Sequence, residues 1–147
     1  MIGSTKKMRD FAQWLIAHER NKSSGAKSPA LFGGVVEKLR RPLSELTGVS
    51  GFRSLLSRAL ALAGGEVRWL RAVHIKADGS LEYATDMARL DPKEFTQGEV
   101  VLLAHLLGLL VTFIGEALTV RLLQDIWPAA PIDDFDFSTT DSKQEVT

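Results

Sequence analysis

The chain has 147 residues, 45% of them hydrophobic and 24% charged, which is enough to bury one core and points to a single globular domain over residues 1–128. It contains no cysteine, which excludes disulfides, thiolate metal sites and thiol nucleophiles. The net charge is zero, unlike that of a strongly basic nucleic-acid binder, but residues 1–76 carry 14 Lys/Arg against 5 Asp/Glu and residues 77–147 carry 4 against 13.

Met8, Phe11, Leu15 and His18 recur at spacings of three and four and predict a first helix over Thr5 to Arg20. The first residues pass straight into this amphipathic pattern without the apolar core of a secretory leader, so a cytoplasmic location is expected. Lys6, Lys7 and Arg9 beside Phe11 and Trp14 also give the helix the composition of a membrane-surface anchor. Residues 21–28 are polar and read as a flexible linker within the domain. Ser28-Pro29 is a helix start, and the helix it opens is expected to run to Arg41, where Pro42 interrupts it.

Leu43 to Arg58 contains Gly48-Val49-Ser50 and resembles the turn region of helix-turn-helix DNA-binding proteins. In that family an apolar anchor follows the turn glycine by six residues; here Ser54 stands at that position and Leu55 comes one later. The resemblance covers about sixteen residues of the chain and implies a DNA-associated regulator acting through the basic region 40–71. No family resemblance spans the whole sequence.

A third helix is expected over Gly51 to Ala72, with Phe52, Leu55, Leu56, Ala59 and Ala63 on its inner side and Arg53, Arg68 and Arg71 on a basic outer face. Gly64-Gly65 within it predicts a kink or the close approach of another backbone. Val73, Ile75 and Ala77 then alternate with His74 and Lys76 before Asp78-Gly79, the pattern of a small β-hairpin near 73–83 that needs a helix to lie on. His74, Asp78 and Glu82 read as polar groups of the hairpin surface.

Asp91-Pro92-x-Glu94 and Thr96-x-x-Glu99 are successive helix-start signals, the second taken to launch a long apolar helix over 97–127 that Pro128 stops. Eleven of the sixteen residues from Val100 to Gly115 are Val, Leu, Ile or Phe, so the segment must be covered by protein or lipid. His105 inside the run and Glu116 just beyond it argue against a membrane span. His105, Thr112 and Glu116 fall on one line of a continuous helix and form a candidate buried polar stripe; His105 and Glu116 lie about 16 Å apart along the axis, too far to share a proton or a metal. Leu103, Leu107, Leu110, Ile114 and Leu118 form a second ridge half a turn away, a candidate interface with another copy of the chain.

No phosphate-binding loop, metal-ligand spacing of histidines or Gly-x-Ser-x-Gly turn occurs, so no catalytic residue, cofactor, metal or small-molecule ligand is expected. Residues 129–147 read as an acidic, disordered tail, in which Ile132-Asp133-Asp134-Phe135-Asp136-Phe137 has the composition of a segment that docks on a basic groove, in cis or on a partner. The expected fold is mostly α: a bundle of about four helices around the apolar helix 97–127, with one small hairpin. The expected role is that of a non-catalytic adaptor or accessory subunit, self-associating or bound to another protein. A DNA-associated regulator or a membrane-associated accessory protein are the alternatives.

Overall fold

The computed structural model describes residues 6–22, 35–82 and 91–130. In order they form α1 (Lys6–Lys22), α2 (Val35–Gly64), a 3-10 turn (Arg68–Ala72), β1 (His74–Ile75), β2 (Leu81–Glu82), α3 (Pro92–Ile114) and α4 (Glu116–Ile126). The fold is thus mostly helical with one two-stranded antiparallel sheet, as expected. The expected linker and the acidic tail lie almost wholly outside the described residues.

The apolar helix is the hub, because α3 packs against α1, α2 and α4. From Val101 to Leu110 every residue of α3 except the partly exposed Leu109 is buried, which fills all sides of the helix as its composition requires. By length and composition Lys93–Ile114 is apolar enough to cross a membrane, with a mean hydropathy of 1.8, but its apolar side chains are largely buried in this chain's own core. Facing them are Phe11, Leu15 and Ile16 of α1, Leu39, Leu43, Phe52 and Leu56 of α2, and Leu123 and Trp127 at the end of α4.

Three boundaries differ from the sequence expectation, and a fourth at Gly64, each for a local reason. Helix α3 starts at Pro92, one turn early, because the first start signal operates: the Asp91 backbone N–H donates to Glu94 Oε1 at 3.3 Å. Thr96 and Glu99 therefore lie inside the helix, and Glu99 is fully buried. The single helix 97–127 is broken at Gly115, whose φ of 93° and ψ of 157° leave the helical region. Its N–H still closes α3 on Val111 O at 2.9 Å, and its carbonyl starts α4 by accepting from the Thr119 N–H at 3.1 Å and hydroxyl at 2.8 Å. Pro42, finally, sits inside α2, which continues to Gly48 before its backbone turns out of the helix at φ 83°.

Gly64-Gly65 ends α2 where a longer helix was expected. The Val67 N–H returns to Ala63 O at 2.8 Å, and the close approach is that of the Arg71 side chain, whose Nε donates to Gly64 O at 3.0 Å. The hairpin forms with His74 opposite Glu82 and Ile75 opposite Leu81. It lies on α2 as required: Gly79 in its turn is seated against the Phe52 ring, and Arg40 donates to Asp78 O at 3.4 Å.

Candidate functional site

Two carboxylates, the buried Glu19 and the exposed Glu66, tie the helices together. Glu19 of α1 is buried, and its Oε2 accepts from Lys38 Nζ at 2.8 Å and from Trp127 Nε1 at 2.6 Å, so one oxygen joins α1, the first turn of α2 and the end of α4. Glu66, just after α2, accepts from Arg9 of α1 through one oxygen and meets His105 Nε2 of α3 at 2.6 Å through the other. Together the two carboxylates run α1 antiparallel to α2, since Arg9 reaches the far end of α2 and Glu19 the near end.

His105 is buried, as the stripe required, and its partner is an acid from the first half of the chain, Glu66. Nε2 donates to the Glu66 carboxylate, and the buried Nδ1 has no hydrogen-bond partner among the described residues. Burial pushes the Glu66 carboxyl up, but the hydrogen bonds from His105 and Arg9 outweigh it and hold the group below its ordinary value.

The rest of the polar stripe does not form. Thr112 is exposed and turns its hydroxyl back onto Gly108 O at 3.1 Å, and Glu116 is an exposed residue in the first turn of α4, beyond the break at Gly115. The leucine ridge is corrected in the same way: Leu103, Leu107 and Leu110 are buried in this chain's own core and Ile114 is partly buried, which leaves only Leu118, 39% exposed, open to another molecule. The ridge has an owner because the first and second helices wrap the apolar helix from sides that its own sequence does not reveal.

Two concavities flank the second half of α2. Residues 55, 58 and 62 recur at helical spacing and, with His105, Leu109, Thr112 and Phe113 of α3, line an apolar groove of about 500 Å³. At its edge Leu62 is 43% and Phe113 60% exposed, large apolar side chains left in water. Residues 53, 57, 60 and 64 face the other way and, with Arg71 and the start of the hairpin, line a cleft of about 490 Å³. Of the basic outer face, Arg53 and Arg71 meet at this cleft and Arg68 does not: it lines a separate hollow with Glu66, Trp69 and Glu94.

Sequence reasoning missed Glu19, Glu66 and Glu99. Two were within reach: Glu19 is on the helical line of Met8, Ala12 and Leu15, and Glu99 on that of Leu102, Leu103 and Leu106, all buried. Glu66 lies in an irregular turn, where periodicity carries no signal. No family model, curated protein or solved structure matches this chain.

Proposed function

We propose that the protein is a non-catalytic helical interaction module that self-associates through the α2–α3 groove, an adaptor or accessory subunit whose working surface is Leu62, Phe113 and the floor between them. The carrying observation is Phe113, an aromatic ring 60% exposed at the rim of an apolar concavity. A projecting ring beside a groove of the same character is self-complementary, and a two-fold contact lets each copy seat its ring in the other. Full burial of a Phe or Leu side chain is worth about 1.5–3 kcal/mol, so even partial burial of Phe113 and Leu62 contributes twice over in such a contact. A net charge of zero sets up no overall repulsion between copies. The groove offers Arg58, His105 and Thr112 as its polar groups; His105 Nε2 is engaged by Glu66 and the Thr112 hydroxyl by Gly108 O, and the remaining lining is apolar.

Light-scattering mass measured over a range of concentrations tests this reading. The wild type is expected to approach twice the chain mass as concentration rises, and Phe113→Asp or Leu62→Glu to stay at one chain mass with an unchanged circular dichroism spectrum. A wild type that remains at one chain mass throughout, or a dimer indifferent to both substitutions, overturns it.

A further inference from the structure

We propose that the acidic segment Ile132–Phe137 docks in cis in the cleft on the far side of α2 from the groove, its carboxylates against Arg53 and Arg71 and a phenylalanine on the apolar floor. The cleft has the matching chemistry. Arg53, Arg71 and His74 surround a floor that includes Leu60, Leu70 and Ile75, and no acid contributes to the lining. Arg53 and Arg71 have no carboxylate partner among the described residues; Arg71 is instead aimed by its bond to Gly64 O. Residues 131–147 hold five acids against one lysine, and three of those acids are interleaved with Phe135 and Phe137 in one short segment. Acid interleaved with aromatic is the complement of a basic rim over an apolar floor.

The end of α4 and the cleft both lie against α2. Trp127 is bonded to Glu19 and Glu19 to Lys38, which places the end of α4 beside the first turn of α2. Two residues along α2, Arg40 holds the hairpin turn at Asp78 O, and from that turn β1 lies back toward the cleft through Ile75 and His74. From Ala130 to Phe137 is seven residues, a reach of at most about 25 Å, comparable with the size of so small a domain. Docking in cis also accounts for the opposed charges of the two halves of the chain, and makes the tail a resident competitor for any other acidic, aromatic peptide.

Backbone amide NMR spectra of the full chain and of a Phe135→Ala, Phe137→Ala double variant test the assignment. Shifts are expected at Ser57, Leu60, Arg71, His74 and Ile75, unchanged on tenfold dilution and diminished by added salt. Arg53→Glu, at an exposed position, is expected to move the amides of 133–137 to unstructured-peptide values. Shifts confined to residues 131–147, or clustered at Arg58, Leu62 and Phe113 or at Arg40 and Arg41, overturn the proposal. Shifts that fade on dilution overturn it too, because they assign the tail to a second copy.

Discussion

Glu19 is a buried carboxylate and must be supplied with donors or the helix carrying it cannot dock, whereas Glu66 is exposed and ties α1 and α3 to the end of α2 at the surface. Trp127→Phe takes one donor from Glu19 Oε2, which retains Lys38, and leaves a cavity where the larger buried indole was. The expected cost is at least about 1.5–3 kcal/mol, the worth of a hydrogen bond to a charged group, with the cavity adding to it, read from the urea midpoint. Glu66 provides a pH signature. Its carboxyl is held below the ordinary value of 4.5, so its contribution is fully present above that value and lost as pH falls through the lower folded one. The margin of wild type over Glu66→Gln is therefore expected to be constant near neutrality and to shrink below about pH 4.5, a comparison of unfolding midpoints at the two pH values.

Helix junctions depend on two glycines for different reasons. Gly115 has open space around its α-carbon but a backbone of φ 93° and ψ 157° that side-chain-bearing residues avoid, so Gly115→Ala is expected to cost about 1–3 kcal/mol through strain alone. Gly98 is helical and crowded: an added Cβ would fall 2.3 Å from Trp69 Cζ2, on a ring held by stacking on Phe95 and by its bond to Glu94 O. Gly98→Ala is expected to expel that ring at a cost of about 1–3 kcal/mol, visible as a change in Trp69 fluorescence in a variant that retains Trp69 alone of the three tryptophans. Gly115 also explains why the polar stripe failed. The alignment of His105 with Glu116 holds only on an unbroken helix, and glycine in a run of apolar helix formers signals a break as readily as a packing contact.

For the molecule as a whole, the position of the apolar surface separates core from contact face. Leu110 is fully buried, so Leu110→Ala is expected to cost about 2–5 kcal/mol and Leu110→Glu to prevent folding, and neither reports on association. Phe113, three residues along α3, is expected to tolerate Asp without loss of fold, and the pair distinguishes interior from surface in thermal unfolding.

Length, apolar content and periodicity were enough to establish a mostly helical fold, the hairpin with its Asp78-Gly79 turn, the Pro128 stop and the need to bury the Val100 to Gly115 run, which the structure meets as far as Val111, because each of these is dictated within a few residues of chain. Which side of that run was covered, and by what, could not be read locally: Leu103, Leu107 and Leu110 are core only because α1 and α2, distant in sequence, close over the helix. The same tertiary closure joined Glu66 to His105 across 39 residues and Glu19 to Trp127 across 108, and left Phe113 and Leu62 outside. Burial is a property of what packs against a face, and a one-dimensional pattern reports only the face.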